Sequence, residues 1–299
     1  MTFLKFLFRW LPIVAVGIGL AFPFAAGAGW IMRPSLILIM LGAFLQTQAL
    51  QGWKPTGFLW RVIAWQLLSV ALAYPCFRWI SPVVGESILV LLITPIAATA
   101  TAIASSAQFN MCVVTSTVVT SNLLAIVTFP LVVLGMATAP EIQLQSFIAP
   151  AKLVGITVLA PFAVASAVFQ MRLLPGKRAT KVITNLMRLA WAIILVVSIS
   201  RVSKWTRLEV MDDLVSTVLV PFGIAFATFA FSALSGLAIS RRHRLEGMLC
   251  FSHKNTGLAI LLAIETFSDQ VSTAIIAYTL VQNVFFAIVQ ARVNKHTSE

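Results

Sequence analysis

Apolar residues fill long stretches of the chain and polar residues gather in short connections between them, so that about ten runs of membrane-crossing length can be marked off. The first five run from Leu7 to Gly27, Ser35 to Leu50, Val62 to Ile80, Val83 to Gln108 and Met111 to Ala137. The others run from Ile148 to Met171, Val182 to Ser200, Leu214 to Ser240, Leu245 to Phe267 and Val271 to Val293. The runs are continuously apolar and do not alternate with a period of two, which excludes a transmembrane β-barrel. The pattern predicts an all-α membrane protein, a single membrane domain over 1–299 without a soluble domain or low-complexity linker. A cut near residue 140 leaves five runs in 1–140 and five in 141–299. A duplicated unit with an odd number of spans must insert its second copy upside down. The expected architecture is therefore about ten transmembrane helices in two five-helix inverted repeats.

The fourth and ninth runs are interrupted. In the fourth, Thr94-Pro95-Ile96-Ala97-Ala98-Thr99-Ala100-Thr101 leads to Ser105-Ser106-Ala107-Gln108-Phe109-Asn110. Proline removes a backbone donor and kinks a helix, and the freed groups need partners from protein or a water-lined cavity. The fifth run carries Thr115-Ser116-Thr117 and Thr120-Ser121-Asn122, a face of hydroxyls and an amide that could point at the fourth. Small hydroxyl residues also serve close helix packing, the expected role of Ser116, Thr117 and Thr120. Thr99, Thr101, Gln108, Asn110, Ser121 and Asn122 together predict part of a solute or ion site.

In the ninth run Ser252-His253-Lys254-Asn255-Thr256 separates Leu245–Phe251 from Leu258–Phe267, and neither part alone can span. At 1.5 Å per residue Lys254 lies about 15 Å along a helix from Arg244, near the bilayer midplane. A charge there costs a few kcal/mol even on lenient scales, which makes Lys254 a functional candidate. A buried lysine held neutral by desolvation and a structural partner of helix C-terminal carbonyls are the alternatives. Half-helices ending inside a membrane present N-terminal amides to anions and C-terminal carbonyls to cations. With Lys254 adding a positive charge and Ala, Leu, Ile and Phe forming the walls, the expected substrate is a small amphipathic organic anion, a carboxylate or sulfonate. The expected substrate-binding set is Lys254, His253, Asn255, Thr256 and Ser252 together with the six residues of the first half.

Composition agrees with the pattern. Of 299 residues, 60% are hydrophobic and 10% charged, against about 25% charged in a typical soluble domain. The net charge of +12 reflects topology and not nucleic-acid binding, because Lys and Arg collect in alternate loops. Lys5, Arg9, Lys54, Arg61, the cluster from Arg172 to Arg188, Arg241, Arg242, Arg244, Arg292 and Lys295 fall on one side. Arg33, Arg78, Lys152, Arg201, Lys204 and Arg207 fall on the other, with Glu86, Glu141, Glu209, Asp212, Asp213, Glu265 and Asp269. Both termini are thus expected in the cytoplasm, and the lipid bilayer is the expected solvent. Lys5 and Arg9 ahead of the first run suggest a signal peptide, but the run is too long and lacks a clear small-residue cleavage site, so it is expected to remain as a helix. Cys76, Cys112 and Cys250 show no CxxC spacing, and Cys76 and Cys112 are expected as small core residues.

Asn255-Thr256-Gly257-Leu258-Ala259 is similar to the Asn-Ser/Thr-Gly-Leu-Ala that follows the ninth-span break in the bile acid:sodium symporter superfamily. Pro95 with its small neighbours is similar to that family's Pro-Gly-Gly-x-x-Ser-Asn. The resemblance covers most of the chain and implies broken, crossing helices four and nine, alternating-access secondary transport and, for a bacterial homologue, the inner (plasma) membrane. The family's sodium sites use a glutamate and, four residues on, a glutamine in the ninth span. Here those positions read Cys250 and Lys254, and the fourth-span Ser-Asn reads Ala100-Thr101. The third-span glutamine is absent from its usual register, with Gln66 nearby. The ammonium of Lys254 is thereby expected to replace the ion, so sodium coupling in the family manner is not expected. Proton coupling through Lys254 or facilitated exchange fits better.

A metalloid or neutral-solute exporter is the alternative, because related arsenite exporters use a cysteine and Cys250 borders the break. A channel or an intramembrane enzyme is less expected. No HExxH, GxSxG or paired intramembrane carboxylates occur, and His243, His253 and His296 are scattered. No cofactor or metal is expected.

Overall fold

The computed structural model describes residues 11, 14–46, 56–136, 148, 151–173, 175–209 and 215–296. The expected cut at residue 140, and Lys5, Arg9, Lys54, Glu141, Asp212 and Asp213, lie outside the described residues. Within them the chain is predominantly helical, and seven helices are long and apolar enough to cross a membrane. After a helical stretch at 14–21 come α1 (Pro23–Gln46), α2 (Gly57–Arg78), α3 (Pro82–Ile93), α4 (Ala100–Ser106) and α5 (Met111–Met136). Then follow α6 (Ala151–Gln170), α7 (Lys177–Glu209), α8 (Val215–Ile239), α9 (Arg244–Ser252), α10 (Thr256–Thr266) and α11 (Asp269–His296). The two short pairs, α3 with α4 and α9 with α10, are the interrupted runs. At about 1.5 Å per residue, none of these four reaches the ~30 Å of a bilayer core.

One boundary differs from the sequence pattern. Pro23–Ile31 was expected within the first span and its loop, yet it winds as 3-10 turns leading straight into Met32–Gln46. Pro23 sits at the start of this helix, where its missing N–H is no loss, and Ala28 makes a kink within the 3-10 part.

Helix α1 packs on both α6 and α7, while α8 lies against α9 and α11, α2 against α3, and α10 against α11. The helix surface is apolar where it faces outward, with Trp60, Leu72, Val127, Phe226, Leu234 and Val284 all exposed, as lipid contact requires. Cys250 is buried but Cys76 and Cys112 are exposed, a correction to their expected core positions. A thiol is apolar enough to face lipid, so burial in protein was not required of it.

Two ion pairs join residues that the charge asymmetry assigns to one side. Arg33 Nη2 meets Glu265 Oε1 at 2.6 Å and Arg201 Nε meets Asp269 Oδ1 at 3.2 Å. At the opposite end the Asn110 N–H donates to Glu246 Oε1 at 3.0 Å, and His243 packs edge-on against Phe58.

Gly236 of α8 and Gly247 of α9 set the closest helix approach. A Cβ built on either would press into the other's carbonyl oxygen, and the obstacle is backbone, which cannot turn aside. Gly236→Ala is expected to lower stability by about 1–3 kcal/mol or more. A thermal-unfolding midpoint in detergent equal to that of the unaltered protein would refute this contact.

Candidate functional site

A helix that stops inside a membrane leaves its last carbonyls and the next helix's first amides without partners. Here the two breaks cross and satisfy one another. The Ala97 N–H donates to the His253 carbonyl and the Asn255 N–H to the Pro95 carbonyl, both at 2.8 Å. The result is an isolated antiparallel bridge centred on Ile96 and Lys254.

The helix after each break holds the central residue by both backbone groups. From α5, Ser121 Oγ accepts the Ile96 N–H at 3.2 Å and Asn122 Nδ2 donates to the Ile96 carbonyl at 2.8 Å. From α11, Gln282 Oε1 accepts the Lys254 N–H at 3.0 Å while its Nε2 donates to the Lys254 carbonyl at 3.2 Å. The half-helix ends are treated alike too. Gln66 Nε2 donates to the Ile93 and Thr94 carbonyls at 2.8 and 3.1 Å, and the Tyr278 hydroxyl donates to the Ser252 carbonyl at 2.8 Å. The hydroxyls of Thr94 and Ser252 each turn back to the carbonyl four residues earlier, Val90 and Met248.

Lys254 is among the largest fully buried side chains, 1% exposed. Its Nζ donates to the Leu92 carbonyl at 3.1 Å and lies 4.8 Å from the centre of the Phe251 ring. Leu92 is in the last turn of α3, where carbonyls carry the negative end of the helix dipole. The amino group therefore occupies the kind of position a free cation would take at a helix C-terminus. This contact directs the side chain to protein rather than to open space.

His253 links the crossing to the surface. Its Nε2 lies 2.9 Å from the hydroxyl of Thr99, which is exposed at the start of α4. Its ring packs edge-on against Phe286 at 4.8 Å, and among the described residues its buried Nδ1 has no hydrogen-bond partner. Asn255 caps α10, with Oδ1 accepting the Leu258 N–H at 3.4 Å, while its Nδ2 donates to Asn122 Oδ1 at 3.3 Å. Thr256 Oγ1 accepts from Gln282 Nε2 at 3.4 Å. Next to it, a Cβ on Gly257 would stand 3.2 Å from Leu36 Cδ1 and 3.5 Å from Trp191 Cζ3. The N-terminus of α10 thus meets α1 and α7.

The structure brings Ser252, His253, Lys254, Asn255, Thr256, Thr99, Ser121 and Asn122 together at the crossing. Thr101 is half-buried beside it, its hydroxyl donating to the Ala98 carbonyl at 2.8 Å. Gln108 and Asn110 lie elsewhere, exposed at the far end of α4. Gln108 takes a left-handed conformation, φ 56°, and the Phe109 N–H donates back to the Ala104 carbonyl at 2.9 Å, which terminates the helix. Asn110 Oδ1 accepts the Val113 N–H at 3.2 Å at the start of α5. Their polarity serves helix ends at the membrane boundary. Sequence reasoning missed Gln282 and Tyr278 and gave Gln66 no contact, although an amide within an apolar helix is itself a signal. Compared with models of known protein families and with curated protein sequences, the chain matches none.

Proposed function

We propose that this chain is a secondary carrier for a small amphipathic organic anion, a carboxylate or sulfonate. In this reading it works by alternating access between the group α1, α6 and α7 and the group built around the crossing. The observation that carries it is the mutual crossing of two broken helices with a fully buried lysine at its centre. Such breaks position half-helix termini to bind solutes in carriers. The N-terminus of α10, capped by Asn255 and packed against α1 and α7, is where the anion would bind, with His253 and Thr99 beside it. Lys254 acts as a tethered cation at the C-terminus of α3, which removes the need for sodium.

The matching roles of Ile96 with Lys254 and of Thr94 with Ser252 support two inverted five-helix repeats, 1–140 and 141–299. Together with the motif around Asn255, they support the resemblance to the bile acid:sodium symporter superfamily. Both termini lie in the cytoplasm of a bacterial inner membrane in this reading, and the chain is a carrier rather than an enzyme. Reconstituted in proteoliposomes, it is expected to take up naphthalene-1-sulfonate or small apolar carboxylates with saturation and counterflow. Equal rates are expected with sodium or potassium outside. Uptake that strictly requires sodium would remove the tethered-cation role, and flux without counterflow would remove the carrier.

A further inference from the structure

The charged residues Arg33, Arg201 and Glu265 line a cavity of about 470 Å³, walled also by Trp30, Val197 and Ile264. It lies between the first turns of α1, the C-terminal half of α7 and the end of α10, apart from the crossing. Its volume falls within the range of small-molecule sites, which are mostly apolar with a few placed polar groups. The lining carries two guanidinium groups, whose N–H donors suit an acidic guest.

Both arginines already hold carboxylates, and each does so across the boundary between the two helix groups. Arg33 of α1 reaches Glu265 of α10, and Arg201 of α7 reaches Asp269 of α11. Each pair uses one guanidinium nitrogen. A guanidinium has five N–H donors in a fork suited to carboxylates and sulfonates, so a second anion can be taken at the same group. The pairs are partly exposed, with side chains between 34% and 44% accessible, and such pairs contribute only about 0–1 kcal/mol each. They are weak enough to open and close.

We propose that this cavity is an entry site for the organic anion, in which Arg33 and Arg201 bind its acidic group in exchange for Glu265 and Asp269 while Trp30 and Ile264 cover its apolar body. Binding of the guest then releases two ion pairs that join the helix groups on this side. This inference rests on the carrier reading for its meaning, but its test measures binding without flux.

The test titrates naphthalene-1-sulfonate into the full chain in phosphatidylcholine nanodiscs, with naphthalene-1-methanol as the uncharged counterpart. Saturable binding of the sulfonate and not of the alcohol is expected. Arg33→Gln and Arg201→Gln are each expected to weaken it about tenfold, the range of one charge-assisted bond. Glu265→Gln, which removes the competing carboxylate, is expected to tighten it several-fold, a gain that misfolding cannot produce. Absence of saturable binding, equal binding of the alcohol, or arginine variants that bind like the unaltered protein would each overturn the site. If Glu265→Gln weakens binding, the exchange is wrong. Uptake that persists in proteoliposomes despite failed cavity binding would discard this site and leave the carrier reading standing. Cavity binding without any uptake would do the reverse.

Discussion

Lys254→Met is expected to slow anion uptake by about 10- to 150-fold, while leaving the protein folded. The two effects separate because of what the ammonium touches. Among the described residues it donates to one carbonyl, Leu92 at 3.1 Å, with the Phe251 ring beneath it. Losing a hydrogen bond to a charged group costs about 1.5–3 kcal/mol where that bond matters to a state, or roughly 10- to 150-fold in its population. Burying the lysine already carries a desolvation cost, however, and methionine of similar length spares the chain that cost. Replacing buried charges by apolar residues of like volume is often neutral or stabilising. Thermal stability should therefore change by less than about 2 kcal/mol. Transport should fail because the C-terminal end of α3 loses the cation that balances its carbonyls at the crossing. Uptake of naphthalene-1-sulfonate by Lys254→Met proteoliposomes at the unaltered rate would show that the lysine is only structural.

The two breaks were legible in the sequence because membrane helices make polarity conspicuous. A run such as Ser252-His253-Lys254-Asn255-Thr256 between two apolar segments has no bland place in a bilayer, and Thr94-Pro95 has little better. What the sequence could not supply were the partners. Leu92 is separated from Lys254 by 162 positions and Thr99 from His253 by 154, and no local pattern encodes such pairings. Gln108 and Asn110 show the opposite failure. Their side chains are as polar as those at the crossing, but local backbone geometry assigns them to helix ends, a difference decided by a single left-handed residue. Loop charge assigns Arg33 and Glu265 to one side, but their contact depends on how α1 and α10 pack.

Gln282→Leu is expected to be the most damaging single substitution at the crossing for stability. One amide there satisfies both the N–H and the carbonyl of Lys254, at 3.0 and 3.2 Å, and also reaches Thr256. Leucine fills similar space but leaves two buried backbone groups without partners, each costing about 1–3 kcal/mol, so a loss of roughly 2–6 kcal/mol follows. In the first half the same duty is divided. Ser121 takes the Ile96 N–H, and Asn122 takes its carbonyl. Ser121→Ala should therefore strand one group and cost about half as much. Asn122→Leu should cost more than Ser121→Ala, because Asn122 Oδ1 also accepts from Asn255. Thermal unfolding in detergent orders the three variants directly. Gln282→Leu melting at or above Ser121→Ala would mean that the Lys254 backbone finds other partners, and the equivalence of the two halves would lose its energetic basis.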